Sequence, residues 1–203
     1  MDREQATQAL GLLRRAVAEA RDDTALQNWG LIWLGNACSN SAGFVATHVL
    51  LQRGEFSPWP YVALWTGVMV VNGATIGLLK QKRAGSQSFI DKQIWNIWNT
   101  FIVGMALVAV VNLLLGLRVL FAPAVGCVLV ASAFSAMGAV MGKWWYAPAF
   151  VWAGMALVLA ALPELQFALF AGLWLATQGT GGFLLHRARL RRLASPKPVA
   201  RLV

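Results

Sequence analysis

The stretch WNIWNTFIVGMALVAVVNLLLGL, residues 95–117, indicates the fold class of this chain. It contains no Asp, Glu, Lys or Arg. It is also longer than the roughly 20 residues of α-helix that cross the hydrocarbon core of a bilayer. Surface helices of soluble domains alternate apolar and polar faces, whereas this stretch is apolar on nearly all sides. The stretch therefore predicts a transmembrane helix.

The rest of the chain has the same apolar character. Among its 203 residues, 58% are hydrophobic and only 12% are charged, whereas soluble domains carry about a quarter charged residues. Prolines and basic segments divide the chain into six apolar stretches. The predicted spans are 27–51, 60–79, 95–117, 120–141, 147–162 and 165–185. The predicted fold class is therefore an all-α polytopic membrane bundle of six transmembrane helices arranged as three hairpins.

The segments that flank the six predicted spans are polar. In residues 1–23, apolar side chains recur at spacings of three and four while charged side chains occupy the other faces. This pattern predicts an amphipathic helix that lies in the membrane interface. Residues 187–203 form a basic tail. We thus expect a transmembrane domain at 24–186 between an interfacial helix and a cytoplasmic tail.

The distribution of positive charge predicts the orientation. The chain has a formal net charge of +9, and short cytoplasmic loops of membrane proteins are enriched in Lys and Arg. If both ends are cytoplasmic, the only cations outside are Arg53 and Arg118. The cations inside are then Arg3, Arg14, Arg15, Arg21, Lys80, Lys82, Arg83, Lys92, Lys143, Arg187, Arg189, Arg191, Arg192, Lys197 and Arg201. This asymmetry predicts a multi-pass protein of the cell (inner) membrane with both termini in the cytoplasm.

The same cations indicate which partners to expect. Because they flank apolar spans, we expect them to contact anionic lipid headgroups, and we expect no nucleic acid. A second copy of the chain or another membrane protein is a further possible partner.

Polar side chains within the spans are the candidates for function, because an unpartnered polar group in hydrocarbon is costly. Amides and hydroxyls recur on one face of the first span and cluster near the start of the third. The predicted ligand-binding residues are Asn36, Asn40, Thr47, Asn96, Asn99, Thr100 and Gln178. Further polar residues are Ser39, Asn72, Thr75, Ser132 and Ser135. If they converge, these residues predict a neutral pocket that binds or passes a small polar solute.

The alternative is that these polar groups hold helices together. Ser, Thr, Asn and Gln commonly form hydrogen bonds between spans, and small residues let helix backbones approach closely. The spacing of Gly73 with Gly77, and of Gly138 with Gly142, predicts two such close contacts. On this interpretation the chain is a non-enzymatic accessory or structural membrane subunit.

The residues that catalysis and ion coupling would need are missing from the sequence. No Asp, Glu, Lys or Arg falls in the central third of any predicted span, which argues against a proton relay or a charge-coupled transporter. The chain has no nucleophile motif of hydrolases and no helical zinc-protease motif. We therefore expect no enzymatic activity and no cofactor.

The two histidines lie about a membrane thickness apart in the predicted topology. His48 falls near the outer end of the first span and His186 at the inner end of the sixth. They are therefore not expected to share a metal or a haem. His48 is either an interfacial residue or a possible pH sensor, because imidazole gains a proton in mildly acidic solution.

Overall fold

The computed structural model describes residues 5, 7–8, 11, 28–79, 89–115 and 122–194. Over the three long ranges the protein is entirely α-helical apart from its turns, and no described residue lies in a strand. The predicted all-α class is thus confirmed. The three long ranges contain six helices, α1 (Trp29–Gln52), α2 (Pro58–Leu79), α3 (Phe89–Leu114), α4 (Pro123–Met141), α5 (Tyr146–Ala161) and α6 (Gln166–Ala194). A short 3-10 turn, Lys143–Trp145, leads into α5.

Within the described part of the chain, five segments are long and apolar enough to cross a membrane. They comprise α2, α4, α6, the part of α3 from Lys92 onward, and α5 together with the 3-10 turn before it. The 24-residue helix α1 is not among them, because amide, hydroxyl and imidazole side chains lower its hydropathy. Its low hydropathy is compatible with its position, since nine of its residues are buried against neighbouring helices.

Prolines and a glycine define the limits of several helices. Pro58 begins α2 and Pro123 begins α4, where the missing backbone N–H would have no helical partner in any case. Gly142 ends α4 with a φ of +115°, a conformation that side chains disfavour. Its N–H still donates to the carbonyl of Gly138 at 3.0 Å.

The last helix is longer than the predicted span. We expected a separate tail from residue 187, but α6 continues to Ala194 and has 29 residues. Its final turns contain Ala, Leu and Arg, which are good helix formers, and no proline or glycine interrupts them. The rest of the predicted tail and nearly all of the predicted amphipathic helix at 1–23 lie outside the described residues.

The start of α1 lies beside the end of α2 and the start of α3. The side-chain nitrogen of Asn28 donates to the carbonyl oxygen of Leu79 at 2.8 Å. The ring centroids of Trp29 and Trp95 are 4.9 Å apart. The first turn of α1 is therefore level with the last turn of α2 and the first turns of α3.

The same end of the protein holds the end of α6 and the turn between α4 and α5. Gly30 of α1 packs against Gly182 of α6, and the ring centroids of Trp33 and Trp145 are 5.4 Å apart. All described Lys and Arg residues except Arg53 collect here. We call this the basic end; its cations are Lys92, Lys143, Arg187, Arg189, Arg191 and Arg192.

Aromatic rings fill the core between α1, α3, α5 and α6. Trp152 has no exposed surface, and its ring centroid lies 5.0 Å from that of Phe170 and 5.9 Å from that of Trp174. Phe101 of α3 stacks on Trp174 at 6.0 Å. Pairs of this kind stabilise a fold by about 0.5–1.5 kcal/mol each beyond the area they bury. The aromatic core therefore ties α3 and α5 to α6.

The glycine contacts differ from those predicted. Gly73 and Gly77 are exposed on α2, and a methyl group added to either would meet no atom within 4 Å. Gly142 is equally open, while Gly138 packs against the ring of Tyr146. Among the described residues, the predicted close contacts are therefore absent at Gly73, Gly77 and Gly142, whereas Gly138 makes one with Tyr146 at the start of α5. Sequence spacing does not reveal which face of a helix meets a neighbour, and the close backbone approach is made by other glycines.

Candidate functional site

Three polar side chains connect α1 to α2 in the described structure. The hydroxyl of Ser39 donates to Oδ1 of Asn72, and Nδ2 of Asn72 donates to Oδ1 of Asn40 at 3.2 Å. Asn72 is 9% exposed, whereas Ser39 and Asn40 are half-buried. We call these residues together with Asn36 the amide cluster. Asn72 was noted in the sequence only as one more polar residue, but it is the residue that links the two helices.

The other hydrogen bonds of the amide cluster stay within α1. Nδ2 of Asn36 donates to the carbonyl of Ile32 at 3.0 Å, and Nδ2 of Asn40 donates to the carbonyl of Asn36 at 2.8 Å. All three amide nitrogens of the cluster are thus used inside the protein. Oδ1 of Asn36 accepts from no described residue, and the Asn36 side chain is half-buried. The cluster therefore offers the free acceptor Oδ1 of Asn36, and each of its amide nitrogens keeps one further N–H.

Two glycines of α1 allow α2 to approach on either side of the amide cluster. A Cβ on Gly35 would lie 2.6 Å from Cγ2 of Thr75, and a Cβ on Gly43 would lie 2.9 Å from Cγ2 of Val68. Either distance is shorter than a normal carbon–carbon contact. The absence of side chains at these positions sets the helix separation at which Ser39 and Asn40 reach Asn72.

Thr47 and Gln178 are both buried but make different contacts. The hydroxyl of Thr47 donates to the carbonyl of Gly43 at 2.9 Å, within α1. Gln178 is 3% exposed on the face of α6 that carries Ala171. The hydroxyl of Ser41 donates to the carbonyl of Ala171 at 3.0 Å, which gives α1 a polar contact to α6 as well.

The three predicted residues of α3 lie apart from the amide cluster. Asn96, Asn99 and Thr100 are exposed, while Ile94 and Trp98 of the same turns point toward the core. Among the described residues, none of the three hydrogen-bonds to the amide cluster. The polar residues of α1 and α3 that we expected in one pocket thus occupy two regions. One lies between α1 and α2, and the other lies on the exposed surface of α3.

The two histidines are far apart along the bundle. The backbone of His186 lies against Gly30 at the basic end, whereas the half-buried His48 lies 18 residues further along α1, about 27 Å at the helical rise. Within residues 28–79, 89–115 and 122–194, no group of three His, Cys, Asp or Glu is placed to hold a metal ion. The described structure therefore offers no joint histidine site.

Comparisons of the chain with protein-family models, with curated proteins and with solved structures found no match. The function proposed for this chain therefore depends on its own residues and on their geometry.

Proposed function

We propose that the chain is an integral membrane protein with six transmembrane helices arranged as three hairpins. Five segments of the described residues satisfy the length and hydropathy of a span. Helix α1 is counted with them because Ser39, Asn40 and Ser41 bond to neighbouring helices. The alternating helix directions and the collection of cations at the basic end support a cytoplasmic location for that end, in the cell (inner) membrane.

Within this framework, the function that the geometry supports best is binding or passage of a small polar solute at the amide cluster. The observation that carries it is the half-buried Asn36, whose Oδ1 accepts no hydrogen bond from a described residue. An amide oxygen within a hydrocarbon layer is stabilised when a donor reaches it. A solute or water molecule beside α1 supplies such a donor.

The hydrogen bonds of the cluster also restrict the chemistry of the solute. Because Oδ1 of Asn36 accepts no hydrogen bond from a described residue while each Nδ2 of the cluster already donates one, a solute that brings its own donor fits best. Alcohols, amides, amines and water meet this condition. The proposal includes no catalytic step and no ion coupling, consistent with the absence of charged residues from the central part of the predicted spans.

Replacement of Asn36 provides the test. Asn36→Leu keeps the branched shape of the side chain and removes the acceptor, and the lost hydrogen bond is only to the carbonyl of Ile32 in its own helix. The control, Ser132→Ala, removes a hydroxyl that likewise bonds only its own helix, to Val128 at 2.9 Å. In proteoliposomes we expect Asn36→Leu to abolish entry of small alcohols, amides or water while Ser132→Ala leaves it unchanged. Equal entry in both variants and in protein-free liposomes contradicts the proposal.

A second candidate is an accessory or structural subunit, favoured by the bonds from Ser39 and Asn40 to Asn72. On this hypothesis the amide cluster only holds α1 to α2, and function lies in contacts with another membrane protein or a second copy. A mild-detergent pull-down with the intact chain tests this. A partner that co-purifies stoichiometrically with the wild type and with Asn36→Leu, without solute entry in either, favours the accessory role.

A pH-sensing role for His48 stays a proposal. Its half-buried side chain lies at the end of α1 opposite the basic end, in keeping with an outer location. Thermal unfolding between pH 5 and pH 8 with His48→Gln as control tests the idea. A wild-type transition that shifts with pH while that of the variant does not supports sensing, and superimposable pH profiles exclude it.

A further inference from the structure

One exposed face of α3 takes no part in the proposed solute site. Lys92, Asn96, Asn99 and Thr100 are all exposed on it. Their spacings of four, three and one place them along a single helical stripe. The stripe continues with Val103 and Leu107, which are 58% and 59% exposed. Along α3 the order is therefore one cation, three uncharged polar side chains, and then aliphatic side chains.

The depth of this stripe follows from its neighbours. The contact of Trp29 with Trp95 places the turn of Asn96 beside the first turn of α1. Gly30, in that same turn of α1, contacts α6 at Gly182 and His186, just before its arginines. Lys92 therefore lies at the level of the basic end, and Asn96 lies about 6 Å further along the helix. The interfacial layer on one side of a bilayer is itself roughly 5–8 Å thick.

We infer that this face of α3 is a binding site for one anionic phospholipid of the leaflet at the basic end. A phospholipid has the same order of groups: a phosphate, then ester oxygens, then an acyl chain. The ammonium of Lys92 faces the phosphate. Asn96, Asn99 and Thr100 donate to phosphate and ester oxygens, and the acyl chain lies along Val103 and Leu107.

Charge favours a lipid over a second copy of the chain on this surface. A two-fold contact through the same face of α3 brings two Lys92 ammonium groups together, which is unfavourable in a medium of low polarity. An anionic headgroup neutralises Lys92 instead. The arginines of α6 at the same end add to the positive field and favour phosphatidylglycerol over zwitterionic phosphatidylcholine.

The inference rests on the proposed membrane placement and not on the solute site. The test uses the full chain in detergent, titrated with phosphatidylglycerol or phosphatidylcholine and observed by native mass spectrometry. We expect one phosphatidylglycerol to bind more tightly than phosphatidylcholine.

The double variant Asn96→Leu/Asn99→Leu should weaken the binding of phosphatidylglycerol about tenfold. Lys92→Gln should reduce the preference for the anionic lipid about fivefold. Lys143→Gln, an exposed cation at the same end, is the matched control and should leave the tight site unchanged.

The other outcomes overturn the inference in distinguishable ways. Equal occupancy by the two lipids, or unchanged binding in Asn96→Leu/Asn99→Leu, shows that α3 holds no specific lipid. Loss of a dimer in that variant, with lipid binding retained, assigns the face to a second copy. If the wild-type chain is released from membranes by carbonate, the membrane placement itself fails. Retention in the membrane without lipid preference refutes only the lipid site.

Discussion

Gly30 of α1 and Gly182 of α6 bring their backbones into direct contact. A Cβ on Gly30 would lie 2.6 Å from the carbonyl oxygen of Gly182, and a Cβ on Gly182 would lie 2.8 Å from that of Gly30. Only glycine leaves room for this approach, since the atoms that a methyl group would meet belong to backbone and cannot rotate away. This seam between α1 and α6 is the closest backbone contact between helices among the glycines of the described residues.

The seam predicts a strong effect of a single methyl group. Gly30→Ala and Gly182→Ala should each destabilise the protein by about 1–3 kcal/mol, because the helices must move apart. Gly172→Ala, on the same helix as Gly182 but in open space, should be neutral or stabilising by up to about 1 kcal/mol. Thermal or denaturant unfolding in detergent measures both. Comparable losses of stability in all three variants would show that the contact between Gly30 and Gly182 is no more sensitive to a methyl group than an open position.

The link between α1 and α2 predicts a smaller loss. Asn72→Leu removes two interhelical hydrogen bonds and should reduce the free energy of unfolding by about 1 kcal/mol, given an average near 0.6 kcal/mol per bond in membrane bundles. Thr75→Val is the control, because the hydroxyl of Thr75 bonds only to the carbonyl of Val71 in its own helix. In a double-mutant cycle, Ser39→Ala should have little effect once Asn72 is absent. Strict additivity would contradict the bond between them.

The aromatic core predicts opposite results for two tryptophans. Trp152→Ala should cost about 3–5 kcal/mol of unfolding free energy, since the buried ring leaves a cavity between Phe170 and Trp174. Trp144, with 81% of its surface exposed, should change stability by less than about 0.5 kcal/mol when replaced by Ala. Unfolding monitored by circular dichroism distinguishes the two variants. A similar loss for Trp144→Ala would indicate that its ring packs in the assembled state.

The proposed topology predicts which sites a membrane-impermeant maleimide reaches. Arg53→Cys, in the α1–α2 turn, and Glu164→Cys, in the α5–α6 turn, should react in sealed right-side-out vesicles. Lys143→Cys and Arg191→Cys, at the basic end, should react only after the vesicles are permeabilised. All four positions are exposed, so accessibility depends on the side of the membrane alone.

The native cysteines must be replaced before this measurement. Cys127 is buried, but Cys38 is exposed on α1, and both are changed to Ala in the background used for labelling. That background should itself show no labelling. Reaction of Arg53→Cys and Lys143→Cys from the same side would contradict alternating spans.

The sequence predicted the helical class because apolar length is a property of the chain itself. Each described helix overlaps one of the predicted stretches, and Pro58 and Pro123 begin α2 and α4 in accordance with proline chemistry. The continuation of α6 beyond residue 185 was not predicted. We expected a tail from residue 187, although the residues that follow His186 have high helix propensity, a signal that hydropathy alone does not register.

The candidate site was harder to predict, because it depends on which helix faces meet. Asn36 and Asn40 were identified from their spacing, but Asn72 gains its role only through the approach of α2 to Gly35 and Gly43. Asn96 shares the residue type of Asn36, yet it lies on the outside of α3. Periodicity places residues on a common face of one helix, and it does not say whether that face meets a neighbour, a ligand or lipid.

The uninterrupted course of α6 has a mechanical consequence. At 1.5 Å per residue its 29 residues measure about 43 Å, so in the proposed membrane placement its last turns project beyond a hydrocarbon layer of about 30 Å. No glycine or proline after Gly182 allows it to bend, and Gly182 itself is seated on α1. We therefore expect a tilt of the turns around Arg191 to move α1 as well, through the contacts of Gly182 with Gly30 and Leu34. A load applied in the aqueous phase would then reach the bundle interior two residues from Asn36.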